Sequence, residues 1–325
     1  MTITNKTNIQ KPMFEAIKKL YDNHPAPVDG TYFVTELLRS PKEVILNRKH
    51  RDEVTKDAQE CIDAILGTAW HKAIESLIIG QEDCITERRF VRSLDVETDF
   101  GVFPINISGA VDCIYADGKG FHIIDWKTCK LAKVDKARSG EEVDWKKQLY
   151  LYAWLIEGNM GIRPLDGTIN AFPKDVKGTP NFEDITTLKL QAIKYDLSDR
   201  KFEEDLINEY KSKLREILNT SLAEDNPREC TLEERWQGEP TFAVKKPEAK
   251  TASKVCSSVA EAQKFLTEKG WIGKGYQIFE RPSCPTKCQS WCDAYPWCKQ
   301  GQDAVAAFEA TTAKTYNDKG GEVNG

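Results

Sequence analysis

Residues 12–22 (Pro-Met-Phe-Glu-Ala-Ile-Lys-Lys-Leu-Tyr-Asp) repeat apolar side chains at helical spacing, and Asn23-His24-Pro25-Ala26-Pro27 supplies a stop. Thr35-Glu-Leu-Leu-Arg-Ser reads as a short helix ending before Pro41, and Val44 to Arg51 as a second. Residues 54–79 form one long helical pattern with Ile62, Ile65, Leu66, Ala69, Ala73 and Leu77 as its expected buried stripe; His71 and Glu75 lie on this helix, one turn apart. The period then changes from 3.6 to 2. Residues 85–95, 102–115 and 120–127 alternate as strands, and Asp117-Gly118-Lys119-Gly120 is a tight turn between the last two. Residues 142–158 are apolar on nearly every side, as in a helix buried against a sheet. Two further strands (165–174 and 189–197) and a charged amphipathic helix (199–222) follow. This order predicts an α/β fold with a mixed central sheet flanked by helices.

From 226 the pattern shortens. Strands at 241–244, 254–256 and 276–279 surround a helix over 259–268, a small α+β appendage. The expected organisation is an N-terminal helix and linker (1–31), a core (32–225), the appendage (226–283), a four-cysteine segment (284–300) and a tail without regular structure (301–325).

A length of 325 residues suits one main core with appendages, and 40% hydrophobic with 30% charged residues is ordinary for a folded chain. No apolar run reaches the roughly 18 residues of a membrane span, and residues 1–30 are too polar for a secretory signal, so a cytoplasmic protein away from membranes is expected. The net charge of −5 excludes a protein that coats nucleic acid by charge alone. It leaves room for a local basic track, here Lys127, Lys130, Lys133, Lys136 and Arg138 against Asp135. The ten cysteines are not a disulfide framework in a reducing compartment. Cys61, Cys84, Cys113, Cys129, Cys230 and Cys256 are scattered and read as small hydrophobes or inert thiols, whereas Cys284, Cys288, Cys292 and Cys298 crowd one segment. Four thiolates suit Zn²⁺ or an iron–sulfur cluster.

The densest chemistry lies around the turn. A two-residue Gly118-Lys119 loop pairs Asp117 with Gly120 and, counting back, Asp112 with Asp125. Side chains so placed have Cβ atoms about 4.5–5.5 Å apart. Two such carboxylates repel unless protonated or bridged by a cation, and oxygen donors favour Mg²⁺ or Mn²⁺. Lys127 points to the same face as Asp125 because strand side chains alternate. An Asp-x-Lys pair on a strand is most often a surface ion pair, but Val111, Ile114, Ile123 and Ile124 make this a core hairpin, where unpaired charge is costly. Glu75 and Glu87 are weaker candidates for a further carboxylate.

Gly67-Thr-Ala-Trp-His71, Gly109-x-x-Asp112, Asp125-Trp-Lys127 and Gln148-x-x-x-Tyr152 occur in that order. This set resembles the RecB-like branch of the PD-(D/E)XK nuclease superfamily, which includes exonuclease modules of recombination helicases and CRISPR-associated nucleases. The resemblance covers about residues 32–175 and the cysteine segment. It implies a restriction-endonuclease-like core, with His71, Asp112 and Asp125 as Mg²⁺ or Mn²⁺ ligands and Lys127 as the catalytic lysine. Gln148 and Tyr152 would contact DNA or orient the site, and Lys130, Lys133, Lys136 and Arg138 would guide DNA. It also implies a [4Fe-4S] cluster, with zinc as the alternative. In the family one cluster cysteine precedes the core; here Ser40 occupies the corresponding segment, so Cys284 is expected to complete Cys288, Cys292 and Cys298. The implied function is a metal-dependent deoxyribonuclease, an exonuclease on single strands or DNA ends in recombination, repair or phage replication. The alternative is a catalytically silent DNA-binding scaffold. No Gly-x-x-x-x-Gly-Lys loop is present, so any helicase or recombination partner is a separate protein.

Overall fold

The computed structural model describes residues 2–22 and 27–320. The helix stop expected at Asn23-His24-Pro25-Ala26 and the last five residues of the tail lie outside the described residues. The chain divides into two compact units, one of Met1–Pro41 and Arg51–Asn226, the other of Lys42–His50 and Pro227–Gly325.

In chain order the first unit comprises β1 (Thr2–Thr4), α1 (Lys11–Asp22), β2 (Thr31–Phe33) and α2 (Val34–Leu37). After α3 (Pro41–Lys49), nearly all of which groups with the second unit, come β3 (Thr55–Asp57), α4 (Ile62–Ile78), β4 (Cys84–Thr98), β5 (Gly101–Asp117) and β6 (Gly120–Cys129). Then follow α5 (Leu131–Ser139), α6 (Asp144–Met160), β7 (Asp166–Pro173), β8 (Gln191–Asp196) and α7 (Arg200–Leu222). The six-stranded sheet runs β2-β5-β6-β7-β8, with β4 along the other side of β5. β5 is antiparallel to β4 and β6 but parallel to β2, and β6 is parallel to β7. The sheet is therefore mixed, as the alternating pattern predicts. Joining the parallel β6 and β7 demands a crossover, which α5 and α6 supply.

α6 is buried along Gln148–Ile156, matching its continuous apolar sequence. Gly109 lets it come close to the sheet. A Cβ at that position would lie 2.9 Å from Tyr152 Cε1 and 3.0 Å from Leu155 Cδ1.

The long helix expected over 54–79 is shorter and turned differently. Thr55–Asp57 instead pairs in parallel with β1, and the Asp57 carboxylate accepts the Lys6 and Gln59 backbone N–H groups at 2.8 and 3.1 Å, which ends the strand. Within α4 no residue is buried, and Leu66 and Leu77 of the expected stripe are 53% and 79% exposed. The start of the helix joins an apolar cluster, where Ile62 and Ile65 pack on Ile17, Ala58 and Cys61. Further along, Trp70 stacks on Phe172 with ring centroids 4.5 Å apart, so an aromatic contact fixes the rotation.

The second unit holds β9 (Thr241–Lys245), β10 (Lys254–Cys256), α8 (Val259–Glu268), β11 (Gln277–Arg281), α9 (Thr286–Ser290) and α10 (Lys299–Gly320). The strands form an antiparallel sheet in the order β10-β9-β11, and Val244, Cys256, Ala262 and Leu266 form its core against α8. Ser258 caps α8 by accepting the Glu261 N–H at 3.2 Å. α10 crosses the segment expected to lack regular structure. Ala304, Ala306, Ala307 and Ala310 are strong helix formers that need no amphipathic period. No helix among the described residues is long and apolar enough to cross a membrane.

Candidate active site

Three adjacent strands bring three carboxylates to one level of the sheet. The β4–β5 ladder pairs Thr86 with Cys113 and Arg88 with Val111, which sets Glu87 opposite Asp112. The β5–β6 ladder runs from Asp117–Gly120 back to Cys113–Ile124 in the register expected from the Gly118-Lys119 loop, and stops one position short of Asp112 and Asp125. The Asp112 carboxylate enters the gap and accepts the Trp126 backbone N–H at 2.9 Å. On the other side Glu87 has a positive φ of 50°, an unusual conformation for a residue with a side chain. Asp112 thus sits where both ladders are interrupted, with its carboxylate turned to the site instead of being a passive cross-strand neighbour.

α4 delivers His71, whose Nδ1 lies 3.5 Å from Asp112 Oδ2. One ligand atom each from His71, Glu87 and Asp112 lie within 4.8 Å of one another. Asp125 is 1% exposed, and the Lys127 ammonium lies 2.6 Å from its Oδ2. From α6, Gln148 Nε2 donates to the Tyr152 hydroxyl at 2.8 Å and approaches Asp125 Oδ1 at 3.4 Å. The i and i+4 spacing on one helix face permits this pair. The structure therefore gathers His71, Asp112, Asp125, Lys127, Gln148 and Tyr152 with Glu87. Glu75 instead pairs with Lys72 at 2.6 Å. Trp126 is buried on the core side, as alternation from Asp125 requires.

The electrostatics reflect this crowding. Burial, then the neighbouring Asp125, pushes the Asp112 carboxyl up to about 7. Burial, then Lys127, lowers His71, which keeps its ring neutral and able to ligate. For Lys127, burial favours the neutral amine, but the Asp125 carboxylate, with Asp112 beyond it, outweighs this and raises its pKa. Burial, then Asp125, raises the Tyr152 phenol, which stays protonated. Lys127 compensates Asp125, while Asp112 carries a charge that the site tolerates poorly. Carboxylate oxygens and one neutral imidazole around that position form a donor set that fits Mg²⁺ or Mn²⁺.

The expected DNA track starts at Lys130, just before α5, and continues along that helix, which no periodic pattern announced. Lys133 lies 3.5 Å from Glu142 and over the Trp145 ring, and Arg138 donates to Gln191 Oε1 at 2.6 Å. Lys130 and Lys136 are exposed.

In the second unit, Cys298 is buried while Cys284, Cys288 and Cys292 are half-buried. Burial, then Glu43, pushes the Cys292 thiol up to about 12. Glu43 is itself buried and pairs with Lys287 at 2.6 Å, and His50 stacks on Trp297 at 4.7 Å, so α3 and the residue that follows it cover the cysteine segment. The Cys284 thiol donates to Gln289 Oε1 at 3.1 Å.

A family model for the PD-(D/E)XK nuclease superfamily matches residues 16–234. No match is found among curated proteins. A solved structure titled "Crystal structure of SSO0001" is 18% identical, covering 62% of this chain and 82% of its own, with a TM-score of 0.44, a likeness too distant to carry an argument.

Proposed function

This chain belongs to the PD-(D/E)XK nuclease superfamily, and on that premise we propose that it is a deoxyribonuclease acting on single strands or DNA ends. The observation that carries this reading is the row of Glu87, Asp112 and Asp125 across three strands, with Lys127 on Asp125 and His71 on Asp112. Asp112, Asp125 and His71 would hold Mg²⁺ or Mn²⁺, with Glu87 as a further oxygen donor. When bound, the ion polarises the phosphoryl oxygen and lowers the pKa of a water. Lys127 keeps its proton and so stabilises charge that develops on the scissile phosphate. Gln148, held by Tyr152, fixes the orientation of Asp125. Lys130 and Lys136 offer exposed cations for the phosphate backbone, and DNA engagement on this track should weaken with salt.

A second metal centre in the other unit is part of the proposal, an iron–sulfur cluster on Cys288, Cys292, Cys298 and a fourth thiolate. Zinc on the same thiolates is the alternative, and iron, sulfide and zinc per chain distinguish the two.

The test is a panel of labelled single-stranded, blunt duplex, flapped and closed circular DNA with Mg²⁺, Mn²⁺ or EDTA. Metal-dependent shortening of end-containing DNA, lost in Asp125→Ala, is expected. DNA binding without cleavage of any substrate would replace the enzyme by a scaffold, and cutting of closed circles would replace end recognition by internal cleavage.

A further inference from the structure

We propose that Cys230, far from the cysteine-rich segment in sequence, supplies the fourth thiolate of the metal centre with Cys288, Cys292 and Cys298, and that Cys284 lies outside it. The inference rests on the reading that the second unit holds such a centre.

Geometry brings Cys230 there through Gln300. The Gln300 side chain makes two hydrogen bonds to the Cys230 backbone, accepting its N–H and donating to its carbonyl, each at 2.8 Å. A side-chain amide that binds both backbone groups of one residue fixes that residue's position as a neighbouring strand would. The next residue, Gly301, touches the other thiols. Its N–H donates to Cys298 Sγ at 3.4 Å, and a Cβ on it would meet Cys288 Sγ at 3.5 Å. Gln300-Gly301 at the start of α10 thus ties Cys230 on one side to Cys288 and Cys298 on the other.

Cys284 has none of these links. Its thiol instead donates to Gln289 Oε1 at 3.1 Å. Backbone amides directed at cysteine sulfurs, as Gly301 is at Cys298, stabilise thiolates and tune a cluster. A Cys230 ligand also gives the centre a structural role, because it would pin the start of the second unit to α10 across the whole α+β sheet.

The experiment compares full-length wild type with Cys230→Ser and Cys284→Ser, purified anaerobically, by iron, sulfide and zinc per chain and by absorbance near 400 nm. Wild type and Cys284→Ser should carry the same metal content. Cys230→Ser should lose most of it. To separate ligation from misfolding, the folded wild type is alkylated under native conditions and mapped by mass spectrometry. Cys284 should react at once, whereas Cys230 should react only after the metal is stripped by chelator or oxidation. Full metal in Cys230→Ser, metal loss in Cys284→Ser, or prompt alkylation of Cys230 in the loaded protein each overturns the assignment while leaving the centre intact. Wild type with neither iron nor zinc overturns the centre itself and this assignment with it.

Discussion

Replacing Asp112 by asparagine should stabilise the metal-free protein while abolishing its activity. The carboxylate is 12% exposed, and its pKa rises from an ordinary 3.8 to about 7 through burial and Asp125. A folded group with a raised pKa holds its proton where the unfolded chain has released it. Between about pH 4 and 7 the folded state therefore binds more protons, and stability falls as pH rises through that window. At about 1.4 kcal/mol per pKa unit the charged carboxylate costs about 4 kcal/mol above pH 7. Asparagine removes the charge and keeps an oxygen for the Trp126 N–H, but its amide must be desolvated, so a net gain of about 1–3 kcal/mol is expected. At about 2–4 °C per kcal/mol the thermal midpoint in EDTA at pH 8 should rise by about 2–12 °C. The assay is thermal unfolding of wild type and Asp112→Asn in EDTA from pH 4 to 8, repeated with excess Mg²⁺ or Mn²⁺. The gain should vanish near pH 4. With metal the order should narrow or reverse, since only wild type gains stability from binding. A variant less stable than wild type at pH 8 in EDTA, or a difference that ignores pH, would refute the reasoning.

Lys127→Ala should lower cleavage by about 10²–10³-fold while leaving DNA affinity within a few fold, as read by kinetics and fluorescence anisotropy. Gln148→Ala should cost about 10–100-fold in metal affinity or rate, checked by titrating Mn²⁺ against activity, because Asp125 loses its orienting donor. Lys130→Glu with Lys136→Glu should weaken DNA binding evenly across sequences and lower the salt slope by about one for each lost phosphate contact, measured over a salt series. Gly109→Ala should destabilise by about 1–3 kcal/mol in urea unfolding, since the new methyl meets Tyr152 at 2.9 Å.

The register of the β5–β6 hairpin was legible because a two-residue turn leaves only one pairing, and the alternation of Asp125, Trp126 and Lys127 assigned their faces. The interruption of both ladders at Asp112 was not, since nothing in local pattern signals a residue such as Glu87 at positive φ. Sequence weighed Glu87 only as a weaker candidate. Its position directly opposite Asp112 depends on the β4–β5 register, which the Asp99-Phe100 connection alone did not define. α4 misled for another reason: its apolar period was real, but the stacking of Trp70 on Phe172 turned that face outward. α5 went unread because its lysines dominated the pattern and only Val134 and Ala137 are buried. Cys230 lies 54 residues before Cys284, so only folding brings it to Gln300.

Lys42–His50 groups with the second unit although both of its flanks group with the first. The backbone consequently passes between the units three times, after Pro41, after His50 and after Asn226. A stop codon at 227 would therefore not release a tidy nuclease. It would strip Glu43 of Lys287 and His50 of Trp297, and so uncover the face of α3 that packs within the second unit. Exchange of modules at a single breakpoint would do the same, because the second unit is assembled from two separate stretches of chain.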